Sequence, residues 1–77
     1  MSNRNFYTYA YLRADGTPYY VGKGKGRRAF EKHGITVPPR GRVLFLKKSL
    51  TEEEAFRHEV YMIAVLGRKD KGTGILL

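Results

Sequence analysis

Tyrosines, glycines and basic residues are concentrated in the first third of the chain. Segment 6–12 reads Phe-Tyr-Thr-Tyr-Ala-Tyr-Leu, and segment 19–28 reads Tyr-Tyr-Val-Gly-Lys-Gly-Lys-Gly-Arg-Arg. Phenol hydroxyls, glycine backbone amides and fixed positive charges are all groups that bind phosphate oxygens. Their combination predicts that this part of the chain contacts a phosphodiester.

The sequence predicts these groups to be positioned by a small α+β fold. The predicted elements are a strand over 6–13, a turn over 14–17, a strand over 18–22, a glycine loop over 22–26, a helix from 27 to about 33, a connection over 36–41, a strand over 42–47 and a helix up to about 66. The last helix has a capping-box pattern, Thr51-x-x-Glu54, and Gly67 follows it. We expect a single domain, 1–77, with a three-stranded antiparallel sheet flanked by helices in β-β-α-β-α order. Residues 68–77 are expected to form a loop and a short strand, or to be partly disordered.

The hairpin between the first two strands has a predictable register. An Asp-Gly pair at 15–16 favours a tight hairpin turn. If these two residues form the turn, Tyr11 lies opposite Tyr20 and Tyr9 lies opposite Gly22 on one face of the sheet. The glycine is then expected to leave open space beside the Tyr9 ring for a ligand backbone. The alternative is that the tyrosines make only cross-strand packing contacts.

The charge balance favours a polyanionic partner. The chain has 15 Lys and Arg, 7 Asp and Glu, and a formal net charge of +8, which is typical of proteins that bind nucleic acid. It has no cysteine, which excludes a thiolate metal site and a cysteine nucleophile. No secretory signal or membrane-spanning stretch is visible, so we expect a cytoplasmic protein that is not secreted.

Glu59 is the acidic residue whose position needs an explanation. On a helical wheel it falls within a broad apolar arc, whose members are Ala55, Phe56, Val60, Met62, Ile63, Ala64 and Leu66. A carboxylate on the core side of a helix is costly unless a cation or metal compensates it. The residues allow a buried ion pair with Lys or Arg, or a ligand to a divalent metal such as Mg²⁺. The neighbouring His58 is expected to point elsewhere and to be partly exposed.

The glycine run and the residues after it are candidates for phosphate contact. The run could be a flexible connection, but its interleaved basic residues favour nucleic acid. The residues predicted to contact nucleic acid are Gly22, Lys23, Gly24, Lys25, Gly26, Arg27 and Arg40.

Taken together, these motifs resemble the GIY-YIG nuclease superfamily. Tyr7-Thr8-Tyr9 stands at the first motif and Tyr20-Val21-Gly22 at the second, and the likeness covers nearly the whole chain. The first motif lacks its glycine, and the asparagine that many members carry near a C-terminal strand has no counterpart. The Gly-Lys-Gly-Lys-Gly form is similar to short prokaryotic and phage-type members, which implies a prokaryotic or phage-infected cell.

The resemblance implies metal-dependent hydrolysis of phosphodiester bonds and a role for each site residue. It implies that Tyr9 is the general base or orients the attacking water, that Tyr20 lies beside it, and that Glu59 holds one Mg²⁺, with Mn²⁺ as substitute. It also implies that Lys23 lowers the pKa of the Tyr9 phenol by charge proximity. It further implies that Arg28, or Arg27, stabilises the pentacovalent phosphate, and that His33 is the candidate for a helper residue after the arginines.

Three functions are therefore consistent with the sequence. The first is a Mg²⁺-dependent DNA endonuclease that grips the phosphate backbone and obtains specificity from a homodimer or a partner protein. The second is a non-catalytic basic module that binds nucleic acid, with the tyrosines as a stacking platform. The third is a small structural basic domain within a larger assembly.

Overall fold

The computed structural model describes residues 4–32 and 34–67. Strands β1 (Phe6–Leu12), β2 (Pro18–Lys25) and β3 (Val43–Leu50) form one antiparallel sheet in the order β2-β1-β3, and helix α1 (Glu52–Leu66) follows β3. The predicted α+β fold with a three-stranded antiparallel sheet is confirmed. No helix in the described ranges combines the length and apolar character needed to cross a membrane.

The predicted register of the hairpin is confirmed. Tyr9 pairs with Gly22 and Tyr11 pairs with Tyr20. The turn differs in one detail, because Gly16 has a φ of +89° and closes a three-residue loop after Arg13 rather than a two-residue one. The register shifts by one residue next to this loop.

The glycine segment is a strand and not the predicted loop. β2 continues to Lys25, and Gly24 pairs with Tyr7 just as Gly22 pairs with Tyr9. The predicted helix from Arg27 to about His33 is also wrong as far as the structure describes it, because only a single 3-10 turn forms at Arg28–Phe30. A second such turn, Arg40–Arg42, precedes β3.

Helix α1 forms as predicted, but the side of the helix that packs on the sheet is narrower than the apolar arc predicted from the sequence. Thr51 and Glu54 make both bonds of the capping box, and Gly67 ends the helix with a φ of +75°. The residues that pack on the sheet are Ala55, Met62, Ile63 and Leu66. The prediction that Phe56 and Val60 face the core is wrong, because they are 54% and 50% exposed. In the part of the chain that the structure describes, one α-helix lies on a three-stranded sheet, so only a narrow part of the helix surface is covered.

The two faces of the sheet have different partners. On the tyrosine face, the rings of Tyr7, Tyr9, Tyr11 and Tyr20 pack with Phe45. On the helix face, Thr8, Ala10 and Val21 face α1. This alternation follows from the two-residue period of a strand. It determines which candidate site residues lie on the same side.

The β3 strand contains a residue in the left-handed region of backbone space. Ser49 has a φ of +59°, at a point where the pairing of β1 with β3 shifts between Phe6 and Thr8. This conformation costs an L-residue about 1–2 kcal/mol. We expect Ser49→Gly to raise the free energy of unfolding by roughly 0.5 kcal/mol, as strain relief outweighs the added flexibility of glycine. In urea denaturation, Lys47→Gly in the same strand should instead lower it by about 0.5–1 kcal/mol. Equal losses in both variants would contradict a left-handed Ser49.

Candidate functional site at the edge of strand β2

Three of the tyrosines have a structural role through their hydroxyl groups. The Tyr7 hydroxyl donates to Gly26 O at 2.8 Å and accepts from Ala29 N at 3.0 Å. The Tyr11 hydroxyl donates to Ala29 O at 2.7 Å, and the Tyr19 hydroxyl donates to Thr36 O at 2.6 Å. These bonds satisfy backbone groups of Gly26, Ala29 and Thr36, which lie outside the strands and helix α1. They fix these three residues against the sheet.

Tyr9 is buried and is not activated as a base. Only 1% of it is exposed, and burial raises its pKa well above the usual value, reinforced by the neighbouring Tyr20 and Tyr11 phenols. The prediction that Lys23 lowers the pKa of Tyr9 is therefore wrong. The physical reason is strand alternation: Tyr9 pairs with Gly22 on the tyrosine face, so the next residue of β2 points to the opposite face. At neutral pH Tyr9 is a phenol and not a phenolate, which disfavours it as the base that takes a proton from water.

Gly22 and Gly24 are required by close packing. A Cβ at Gly22 would lie 2.7 Å from Tyr9 Oη and 2.9 Å from Tyr20 Cε2. A Cβ at Gly24 would lie 2.6 Å from Arg28 Cβ. The expected open space beside the Tyr9 ring is thus filled by the phenols themselves. The glycines let Tyr9 and Arg28 approach the backbone of β2.

Glu59, on α1, lies next to strand β2 on the helix face of the sheet. It is half-buried, and burial raises the pKa of its carboxyl group, while the ammonium and the backbone amide of Lys23 act in the opposite direction. Lys23 Nζ is also 3.9 Å from Glu52 Oε2, so one lysine serves two carboxylates of α1. Glu59 is neither turned into bulk solvent nor paired with a guanidinium among the described residues.

Glu59 and Tyr9 are on opposite faces of the sheet, but β2 is an edge strand. Among residues 4–32 and 34–67, the order β2-β1-β3 leaves one side of β2 without a partner strand. Tyr20, on β2 itself, is half-buried on the tyrosine face. Groups from the two faces can approach one ligand only around this free edge, so Tyr20, Lys23 and Glu59 form the candidate site there.

The basic candidates surround this edge on both sides. Arg27 and Arg28 are both exposed, and Arg28 packs its alkyl stem over Gly24 on the tyrosine side. On the helix side, Lys23 and Lys25 lie 5.9 and 5.5 Å from the centroid of the Phe6 ring. The ring holds the two ammonium groups in place and leaves their positive charges unneutralised.

Two further candidates do not join the edge site. Arg40 is exposed and its guanidinium lies 4.5 Å from the centroid of the Phe30 ring, within the loop region before β3. His33 lies outside the described residues, so its predicted helper role stays a prediction.

His58 is a residue whose position sequence reasoning missed. Its Nδ1 is 2.7 Å from Oγ1 of Thr8, and Thr8 is fully buried. His58 is partly exposed, as expected, but its ring faces the sheet and does not project elsewhere. The signal that could have located it is the threonine in an otherwise apolar core position, since a buried hydroxyl needs a partner.

The site can bind a divalent ion with a single protein ligand, the Glu59 carboxylate. Among residues 4–32 and 34–67 there is no cluster of three or more His, Asp or Glu side chains that could hold a metal. Glu59 supplies one carboxylate beside an exposed strand edge, and Mg²⁺ is commonly held by one or two carboxylates together with water and phosphate oxygens. The donor set suits an ion that is completed by its substrate.

Comparison of the chain with protein-family models, with curated proteins and with solved structures finds no match.

Proposed function

We propose that this chain is an endonuclease that hydrolyses phosphodiester bonds in DNA with one divalent ion, Mg²⁺ or Mn²⁺, in the cytoplasm of a prokaryotic or phage-infected cell. The observation that carries the proposal is the half-buried carboxylate of Glu59 beside Lys23 at the free edge of β2. A module that only binds nucleic acid gains nothing from a desolvated carboxylate among its cations. The likeness of segments 7–9 and 20–22 to the GIY-YIG nucleases supports the same conclusion.

The chain's own residues have distinct tasks in this proposal. Arg27 and Arg28, exposed beside the edge, bind the oxygens of the scissile phosphate and stabilise the charge that develops as water attacks phosphorus. Tyr20 orients the attacking water. Tyr9 holds the Tyr20 side chain in place, since their hydroxyls interact. Lys23 and Lys25 hold the flanking phosphates.

Glu59 is the residue that would hold the ion. Once bound, a divalent ion polarises the phosphate and stabilises the leaving oxygen. The water oxygen bonds to phosphorus, the bond from phosphorus to the leaving oxygen breaks, and that oxygen takes up a proton from solvent. Because the pKa of Tyr9 is raised, the proton released by water goes to bulk base rather than to this phenol.

The test is nicking of supercoiled plasmid in the presence of Mg²⁺ or Mn²⁺. We expect conversion to the open-circular form with either ion and none in EDTA. DNA retention measured by gel shift in EDTA should persist, because it depends on Lys and Arg contacts and weakens as salt rises.

The buried, protonated state of Tyr9 favours one alternative, a non-catalytic nucleic-acid-binding module. That module would retain DNA with the same dependence on salt but leave plasmid intact with both ions. Retention without cleavage would therefore replace the proposed function with this alternative.

A further inference from the structure

Two consecutive residues of α1 contact two residues that face each other across the sheet. His58 is hydrogen-bonded to Thr8 on β1, with Nδ1 and Oγ1 2.7 Å apart. The next residue, Glu59, adjoins the backbone amide of Lys23 on β2. Thr8 and Lys23 are direct partners in the pairing of β1 with β2.

This arrangement fixes the rotation of α1 about its axis. Successive helical residues differ in direction by about 100°, so the two contacts act from different sides of the helix. Apart from the Lys23–Glu52 ion pair, whose carboxylate is exposed, the remaining contacts that α1 makes with the sheet are apolar, from Met62, Ile63 and Leu66. Apolar packing is non-directional and would tolerate a small rotation. The Thr8–His58 hydrogen bond is directional and would not.

The burial of Thr8 makes this contact hard to replace. The side chain has no exposed surface, so bulk water cannot take the place of the histidine nitrogen. Every buried side-chain nitrogen or oxygen in the described residues has a hydrogen-bond partner. A rotation of α1 that moved Glu59 away from β2 would break this bond and leave a buried hydroxyl unpaired, which is unfavourable.

We propose that Thr8 and His58 are positioning residues for Glu59, and that their hydrogen bond holds the Glu59 carboxylate at the edge of β2 in the orientation that binds the divalent ion. The inference rests on the proposed function for the identity of the ligand. It assigns a role to a Thr–His pair that touches neither DNA nor metal. The effect is that of an outer-shell partner, whose loss typically lowers metal affinity about 10–100-fold.

The experiment measures Mn²⁺ binding in the presence of dimethyl phosphate, which supplies phosphodiester oxygens in place of DNA, from the electron paramagnetic resonance signal of free Mn²⁺. Thr8→Val removes the hydroxyl and keeps the shape, and Thr8→Ser keeps the hydroxyl. The double variant Thr8→Val/His58→Phe leaves no unpaired polar group and should fold well, because replacing both partners is nearly neutral. Tyr19→Phe is the matched control, since it deletes one hydrogen-bonded hydroxyl remote from α1.

We expect Thr8→Val and the double variant to weaken Mn²⁺ binding at least about tenfold. Thr8→Ser and Tyr19→Phe should remain within about twofold of the parent chain by the same reasoning. The amide proton of Lys23, followed by NMR without metal, should shift in the double variant toward its position in Glu59→Ala and return in Thr8→Ser.

The outcomes separate the two proposals. If the parent chain binds Mn²⁺ and the folded double variant binds it equally well, the positioning role is wrong while the proposed function stands. If the parent chain neither binds Mn²⁺ nor nicks plasmid, the proposed function fails and this role fails with it. An unmoved Lys23 amide in the double variant would overturn the geometry on which the inference depends.

Discussion

Glu59→Gln should reduce plasmid nicking by at least about a hundredfold, the equivalent of roughly 3 kcal/mol of transition-state stabilisation. The glutamine keeps the size of the side chain and its acceptor oxygen near the Lys23 amide. It loses the negative charge that a divalent ion needs. Gel-shift retention of DNA should not weaken, because the contacts to phosphate come from Lys and Arg. The measurements are initial nicking rates in Mg²⁺ and retention in EDTA.

Glu53→Gln is the matched control for this variant. Glu53 is on the same helix and is exposed, with its carboxylate paired to Arg57 in the next turn. Both variants raise the net charge by one, so any general gain in DNA affinity is the same in each. We expect normal nicking by Glu53→Gln. Cleavage by Glu59→Gln at the rate of this control would show that the ion is held elsewhere.

Stability as a function of pH distinguishes a lost ligand from a damaged fold. Burial raises the pKa of Glu59 in the folded chain above its unfolded value near 4.5. The folded state therefore binds the proton more tightly, and the contribution of Glu59 to stability is greatest below the unfolded pKa and declines as pH rises through the folded pKa. Glutamine does not titrate. The midpoint of thermal unfolding of Glu59→Gln minus that of the parent chain should therefore be larger at pH 7 than at pH 4.

The elements with strong local signals were predictable from the sequence. Helix α1 begins at a capping box and ends at a glycine, and both signals act within a few residues of the chain. The register of the hairpin followed from the Asp-Gly pair and the alternating tyrosines, and Tyr9 does lie opposite Gly22. Local propensity and side-chain period agree in both elements.

The glycine segment was not predictable from local signals. Gly22 and Gly24 suggest a flexible loop, yet they lie within β2 because Tyr9 and Arg28 need the space that a Cβ would occupy. That requirement comes from residues on another strand and a later turn. Once β2 is known to continue, alternation alone places Lys23 on the helix face, which is why the expected contact between Lys23 and Tyr9 does not form.

The phenol hydrogen bonds and the Thr8–His58 pair were missed for a related reason. Tyr11 donates to Ala29 O, which the sequence predicted to lie in a helix and to be satisfied within it, and Tyr7 donates to Gly26 O just before that segment. A 3-10 turn leaves these groups free, and the phenols replace the missing bonds. The partner of a buried hydroxyl cannot be chosen until the packing of α1 on the sheet is fixed.

Gly22→Ala should destabilise the chain by about 2–3 kcal/mol, which is typical of forcing an extra methyl group into a packed site. The new Cβ would lie 2.7 Å from Tyr9 Oη and 2.8 Å from Tyr9 Cζ. Tyr9 cannot move aside easily, since it is buried and in contact with the rings of Tyr7, Tyr11 and Tyr20. For a domain of this size the loss corresponds to a fall of roughly 10–20 °C in the midpoint of thermal unfolding.

Gly41→Ala and a double-mutant cycle make this prediction specific. A Cβ at Gly41 would meet nothing within 4 Å, so Gly41→Ala should change the midpoint by no more than about 2–3 °C, the effect of an ordinary surface substitution. Tyr9→Phe removes the nearest clashing atom but leaves Cζ in place, so adding Gly22→Ala to it should cost less than in the parent chain. A coupling of about 0.5 kcal/mol or more between the two sites is expected for residues in direct contact. Two results would contradict this prediction: Gly22→Ala being as mild as Gly41→Ala, or its cost being the same with and without the Tyr9 hydroxyl. Either would show that the phenol does not occupy the space above Gly22. The proposed contact of Tyr9 with Tyr20 at the edge of β2 would then be wrong as well.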